Sequence, residues 1–342
     1  SGGVDSSVAA YLLKQQGYDV IGITMKIWQD DNSCNIIENG GCCGLSAVED
    51  ARRVSYKIDI PYYVLNFKKD FKEKVIDNFI EEYYLGRTPN PCIACNRYVK
   101  WESMLNKALE LGADYIATGH YANVVQKNGR FTLKRADALN KDQTYALFNL
   151  TQEQLKHTLM PIGEYSKDVV RKIANEIGLE VANKPDSQEI CFVEDNNYPE
   201  FLKANSNKEV LEGNFVDIDG NILGRHKGII YYTIGQRKGL GISFGKRMFV
   251  KEIRAKENEV VLSQDEDLYS NGLIAEDVNF MSIEKLDSTL DVRAKIRYSH
   301  TPCDATISFK DNILTCDFKE PQRAVTPGQA VVFYDKDDCI VC

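Results

Sequence analysis

A chain of 342 residues exceeds what one hydrophobic core usually fills, so at least two domains are expected. Hydrophobic residues at 43% and charged residues at 27%, with 23 Gly and 9 Pro, exclude disordered, collagenous and small disulfide-stapled chains. The net charge of −8 argues against a nucleic-acid partner, and no apolar run nears the ~18 residues of a membrane span, so no membrane and a cytoplasmic location are expected.

Ser1-Gly2-Gly3-Val4-Asp5-Ser6-Ser7 leads straight into a helix, because Val8, Ala9, Leu12 and Leu13 recur at helical spacing before Gly17 stops them. Gly2-Gly3 alone reads as a plain turn. The whole string points to phosphate: glycines let backbone N–H groups converge, the helix adds its positive end, and hydroxyls at 1, 6 and 7 can donate. Asp5 can hold a Mg²⁺ there. A strand normally launches such a loop, so a short one before Ser1 is expected. Next come a strand over 19–25, a capping box at Ser46 and Glu49 opening a helix, a strand over 62–67 and a helix over 71–85. A helix over 96–111, a strand over 114–118, a hairpin at Asn128-Gly129 and a helix capped by Ser166 follow. This alternation predicts an α/β domain with a parallel sheet.

Beyond about Lys203 helical periodicity fades. Asp219-Gly220 marks a hairpin, and strands are expected over 248–253, 259–262, 291–296, 305–309 and 330–334. Within this half, residues 225–256 hold nine basic residues against Glu252, a local +8 that leaves −16 for the rest of the chain. With Tyr231, Tyr232 and Phe244 among the charges, the window suits RNA backbone contact and stacking, against the plainer reading of a solvated β-surface. The boundaries expected are 1–203, 204–271 and 272–342.

Ten cysteines, Cys42 and Cys43 adjacent, suggest reduced thiols in metal or sulfur chemistry. In Thr88-Pro-Asn-Pro-Cys-Ile-Ala-Cys-Asn96 the prolines defer the helix, which would put Cys95 at its start, where the dipole favours thiolate. Asp186–Phe192 brings a further thiol, Cys191. Cys34, Cys42 and Cys43 read as incidental.

These motifs, with Gly22–Met25, Ala117–Tyr121, Lys141–Gln143, Tyr231–Gly241, Arg297-Tyr298 and Val325–Gln329, resemble bacterial tRNA-specific 2-thiouridylases end to end. The resemblance implies a PP-loop catalytic domain of the adenine nucleotide alpha hydrolase-like class, a small β-rich linking domain and a C-terminal β-barrel. It implies ATP bound by Ser1, Gly2, Gly3, Val4, Asp5, Ser6, Ser7, Met25 and Gly119, with Mg²⁺. Asn90, Pro91 and Cys92 would border the target uridine. His120, Lys141, Asp142, Gln143, Arg297, Tyr298 and Gln329 would touch tRNA. Cys191 would carry a persulfide from a sulfur-donor protein, with Cys95 its partner thiol. Much of the family has Asp where this chain has Cys92. That leaves open a [4Fe–4S] cluster on Cys92, Cys95 and Cys191. An amide-forming synthetase or a non-catalytic sulfur carrier are the other readings.

Overall fold

The computed structural model describes residues 2–27, 45–185, 190–193, 197–242 and 245–342. Ser1, the thiols Cys34, Cys42 and Cys43, residues 186–189 of the Cys191 motif, and Phe244 lie outside them. Helix α1 (Val4–Gln15) buries Val4, Val8, Ala9 and Leu13 and stops before Gly17, whose φ is +89°. Strand β1 (Gly22–Lys26) precedes α2 (Leu45–Lys57) and pairs in parallel with β2 (Tyr62–Asn66). Ser46 falls inside α2 rather than ahead of it, so the expected capping box does not open that helix. A continuous helical run, α3 (68–84), buries Phe71, Val75, Ile76, Phe79, Ile80 and Tyr83.

Helix α4 (91–110) begins earlier than expected. Proline is well placed at a first helical position, where its missing N–H is no loss, and Asn90 caps it by accepting from the Cys92 N–H at 3.0 Å. Cys92, not Cys95, therefore sits beside the helix N-terminus; Cys95 comes a turn later, where the dipole has faded. Cys95–Met104 is wound as a π-helix, a winding often found at functional sites. Strand β3 (Ile116–Ala117), the hairpin β4 (Ala122–Lys127) and β5 (Arg130–Arg135), α5 (Gln152–Lys156) and β6 (Thr158–Leu159) follow. Asn128 and Gly129, at φ +53° and +78°, make the hairpin turn. Parallel pairing among the described residues of this domain takes the form of two separate pairs, β1–β2 and β3–β6, instead of one sheet. Ser166 caps α6 (Lys167–Glu176), and a short helix, α7 (Tyr198–Ala204), closes the domain.

The rest is β-structure. β7 (Gly213–Val216), β8 (Ile222–His226), β9 (Phe249–Arg254) and β10 (Glu259–Ser263) form a sheet in the order β8-β7-β10-β9. β11 (Tyr269–Ala275), β12 (Leu290–Lys295), β13 (Cys303–Lys310), β14 (Ile313–Arg323) and β15 (Val332–Tyr334) form an antiparallel one, β11-β14-β13-β12-β15. Because β11 starts at Tyr269, a boundary at 271 would cut a strand; the C-terminal sheet begins before it.

The three parts share cores. One apolar cluster joins Phe71, Phe79 and Phe192 to Phe215, Ile230, Val250 and Val260 of the middle sheet. Another joins Trp101, Leu133 and Tyr145 to Met281, Val332, Tyr334 and Ile340. The chain end also pairs along β5: the Ile340 N–H donates to the Leu133 carbonyl at 2.8 Å and the Thr132 hydroxyl to the Ile340 carbonyl at 2.8 Å. Interfaces this apolar favour a fixed arrangement.

Candidate functional site

The loop ahead of α1 uses glycine for two physical reasons. Gly2 has φ +63°, and a Cβ there would lie 2.2 Å from the Ala47 carbonyl oxygen. Gly3 is an extended cap with no side chain across the first helical N–H groups. The positive end of the helix can therefore meet an anion at this loop. The serines behave otherwise than expected. Ser7 is buried and donates to the Gly3 carbonyl at 2.7 Å, and Ser6 donates to the same oxygen at 3.1 Å. Val4 is in the core, so only its backbone faces the loop.

Asp5 is the charged centre of this loop. Lys167 donates to its two carboxylate oxygens at 2.9 and 2.8 Å, and the Tyr121 hydroxyl donates to Oδ1 at 2.8 Å. Lys167 is buried at the first position of α6, and its sequence setting, a lysine after a capping serine, gave no sign of this role. With Lys167 already neutralising Asp5, the carboxylate fits less well as a lone Mg²⁺ ligand; the metal would travel on the nucleotide phosphates. Gly119 closes the other side. A Cβ at Gly119 would stand 2.5 Å from the Ser6 nitrogen and 2.6 Å from the Asp5 carbonyl carbon. Gly119→Ala is therefore expected to push the loop open, weakening ATP binding at least tenfold and lowering stability by about 1–3 kcal/mol. Equilibrium ATP binding with a thermal melt checks this, and unchanged affinity would refute it.

The same segment leads to the thiols. The His120 ring lies 5.6 Å from that of Trp101 of α4, tilted by 41°, and its Nδ1 lies 2.8 Å from the Thr118 hydroxyl. Burial, and then Lys100 nearby, hold the imidazole well below its ordinary pKa, so the ring is neutral and can take part in hydrogen bonds without carrying a charge. Cys95 is half-buried against the cluster that holds Phe192, Ile190 and Met25. Cys191 is exposed beside the buried Phe192, whose ring contacts Phe71 at 5.6 Å, Phe79 at 5.4 Å and Phe201 at 5.1 Å. Met25, Cys95 and the neighbours of Cys191 thus border one core.

The loop before α4 is fastened from two sides. The Thr88 N–H donates to the Pro327 carbonyl at 3.0 Å, the Gln329 amide donates to the Thr88 carbonyl, and the Thr88 hydroxyl lies 3.4 Å from that of Thr233. Gln329 is therefore a clamp on the thiol loop. Asp142 is likewise engaged within the protein. Its side chain is fully buried, accepting from Arg135 at 3.2 Å, from the Ala136 and Thr144 N–H groups at 3.3 Å each, and from the Thr144 hydroxyl at 2.9 Å. Gln143 accepts from the Tyr121 N–H at 3.0 Å and donates its own N–H to the Tyr121 carbonyl at 2.9 Å. Lys141 and Gln143 are half-buried. Arg297 donates to the Arg323 carbonyl at 3.1 Å, whereas the Tyr298 ring is exposed.

Among the described residues no three His, Cys, Asp or Glu side chains converge as a ligand set. Cys92, Cys95 and Cys191 as placed therefore do not fit three corners of a [4Fe–4S] cluster. The basic window divides too. Arg225 lies 3.7 Å from Glu212, and Arg254 pairs with Glu252 at 3.3 Å. Tyr232 is buried against Phe215, out of reach of a base. Arg237, Lys246 and Arg247 stay exposed around a shallow cleft floored by Leu240 and Met248.

Comparison with known proteins gives this geometry its family. Residues 1–195 match the tRNA methyl transferase HUP domain family, 199–264 the tRNA methyl transferase PRC-barrel domain, and 270–340 the aminomethyltransferase beta-barrel domain. The chain is 62% identical to the tRNA-specific 2-thiouridylase MnmA of Lachnoclostridium phytofermentans over 339 residues, covering 98% of this chain and 95% of that protein. It is 62% identical to that of Clostridioides difficile, covering 98% and 94%, and 59% identical to that of Clostridium perfringens, covering 100% and 95%. The chain belongs to the tRNA-specific 2-thiouridylase family. Its α/β domain is thus of the HUP, PP-loop class, followed by PRC-barrel-like and β-barrel parts, as the motifs led one to expect. In this 2-thiouridylase, the residues that sequence reasoning missed are Lys167, Tyr121, Trp101 and Arg135: ordinary core and helix residues in sequence, brought to the loop and its supports only by the fold. No helix among the described residues is long and apolar enough to cross a membrane.

Proposed function

We propose that this chain uses ATP to replace O2 of the tRNA wobble uridine with sulfur, through a persulfide on Cys191 and a thiolate on Cys95. The enzyme is a tRNA sulfurtransferase of the 2-thiouridylase family, and ATP with Mg²⁺ is its nucleotide. The observation that carries the reading is the reach of Gly119–Tyr121. Gly119 and Tyr121 press on Asp5 in the nucleotide loop, while the His120 ring lies against that of Trp101 in the helix that bears Cys92 and Cys95. One pyrimidine can then meet both halves of the chemistry.

The order of events follows from leaving-group chemistry. Uridine O2 departs poorly, so it attacks the ATP α-phosphorus, pyrophosphate leaves, and O2 becomes part of an AMP ester. The outer sulfur of the Cys191 persulfide, as its anion, attacks C2 and AMP departs. Cys95 thiolate then attacks the Cys191 sulfur, freeing the 2-thiouridine sulfur and closing a Cys95–Cys191 disulfide. A cellular thiol reductant supplies two electrons to reopen it, and a persulfide-bearing donor protein reloads Cys191. Lys167 and Tyr121 hold Asp5 beside the helix end, and Asn90, Pro91 and Cys92 form the lip at which the base is presented.

Incubation with ATP, a persulfide donor and unmodified tRNA tests the reading. Pyrophosphate release that needs tRNA, with wobble 2-thiouridine found by nucleoside mass spectrometry, is the expected result. Release that needs a small nucleophile instead would indicate an amide-forming synthetase, and none at all a carrier. Transfer of methyl from a sulfonium donor would indicate a tRNA methyltransferase. Full activity of anaerobically purified protein free of iron is expected; activity that tracks bound iron would replace the persulfide route with the cluster.

A further inference from the structure

The lysine that ends β12 has no part in the reaction just described. Lys295 is 6% exposed, and its ammonium makes no hydrogen bond and no ion pair with any described residue. It stands over two rings instead, 5.8 Å from the centroid of Tyr145 and 5.6 Å from that of Tyr298, which are 6.2 Å apart. Asp142 is the facing anion, yet its oxygens are already held by Arg135, Thr144 and the backbone at 136. Arg135 and His300 face the same ammonium, and neither can neutralise it. Burial pushes the Lys295 amine's pKa down; Asp142 acts against this and Arg135 with it.

A cation this dry normally has a carboxylate against it, and tyrosine faces replace only part of the lost hydration. The cluster opens at Tyr298, which is 48% exposed and near enough to Cys92 for that thiol to act on its hydroxyl. An uncompensated cation under an exposed aromatic ring, next to the lip that presents a base, matches the way single-stranded RNA is held: a phosphate on the charge, a base on the ring. We propose that Lys295 binds a backbone phosphodiester of tRNA beside the nucleotide presented at Asn90–Cys92. The C-terminal sheet thereby contributes directly to placing the target nucleotide. The proposal rests on the tRNA-modifying reading above.

The test measures binding of unmodified tRNA by fluorescence anisotropy across a salt series. Lys295→Met is expected to bind about tenfold more weakly, with the slope of log affinity against log salt reduced by about 0.7–0.9, the loss of one phosphate contact. A neutral methylphosphonate at one linkage flanking the wobble nucleotide should weaken wild-type binding by a similar factor and leave Lys295→Met unaffected. Unchanged affinity and slope in a folded Lys295→Met would overturn the proposal, even if the variant is less stable or responds poorly to a sulfur-donor protein. If the variant does not fold, the methylphosphonate series on the wild type decides alone: insensitivity at every flanking linkage refutes the contact. Should wild-type protein not bind tRNA at all, the functional reading itself fails, a different and recognisable outcome.

Discussion

Cys191→Ser is expected to abolish thiolation, by about a thousandfold or more, or ~4 kcal/mol in barrier, while tRNA binding and the melting temperature hold. The stability half of this follows from where the residue sits. Cys191 is exposed, and the buried anchors are its neighbours, Phe192 and Ile190. Exchanging a surface thiol for a hydroxyl changes stability by no more than about 0.5 kcal/mol. The activity half follows from chemistry, since an alkoxyl side chain forms no persulfide and carries no transferable sulfur. In the proposed order adenylation precedes sulfur transfer, so some tRNA-dependent pyrophosphate release should survive in Cys191→Ser. Cys95→Ser gives the complementary result: without reductant it should stall as a tRNA–protein adduct through Cys191, released by added thiol. Retention of full thiolation by Cys191→Ser with a persulfide donor would remove Cys191 from the mechanism.

How far the sequence disclosed this site depends on the kind of residue. Backbone devices were readable because they are local: Gly2-Gly3 before an apolar period, Asn128-Gly129 between alternating runs, Ser166 ahead of α6. Each needs only its neighbours to act. Asn90-Pro91 was half readable; prolines in sequence suggest a delayed helix, whereas a capped first-position proline starts one, which exchanges the places of Cys92 and Cys95 relative to the dipole. Residues whose role lies across the fold gave no local sign. Lys167 meets Asp5 across 162 residues of chain, and Arg135 meets Asp338 across 203 residues, where the β4–β5 hairpin lies against the chain end. The strands Tyr269–Ala275 and Ile313–Arg323 escaped notice for a related reason. Their burial alternates only partly and Gly272 and Pro321 interrupt them, so pairing partners, not local pattern, make them strands. The same cause hid the burial of Asp142: a polar motif such as Lys-Asp-Gln looks solvated until the hairpin and the Thr144 turn close over its middle residue.

Asp142→Ala should be the most destabilising of these changes. Its carboxylate is wholly buried and is the common acceptor for the Arg135 guanidinium, two backbone N–H groups and the Thr144 hydroxyl. Removing it leaves Arg135, itself only one-tenth exposed, with Asp338 alone at 3.2 Å, and strands donors that water cannot reach. Breaking a buried pair by deleting one partner costs about 3–5 kcal/mol, and at roughly 2–4 °C per kcal/mol this lowers the melting temperature by about 10 °C. Function should fall further than stability alone explains. The Thr144 hydroxyl also meets Tyr334 at 3.0 Å, and the adjacent Gln143 grips Tyr121, which holds Asp5 in the nucleotide loop. Loosening 142–144 therefore disturbs both the seat of the C-terminal sheet and the charge beside the α1 end. Asp142→Asn keeps an acceptor and the shape but loses the charge, so it should lie between the two proteins in stability. Differential scanning calorimetry, with ATP-dependent pyrophosphate release assayed well below each midpoint, separates the effects. A melting temperature within about 1 °C of the parent for Asp142→Ala would mean that Arg135 and Thr144 find other partners, and that Asp142 does not support the hairpin and the chain end.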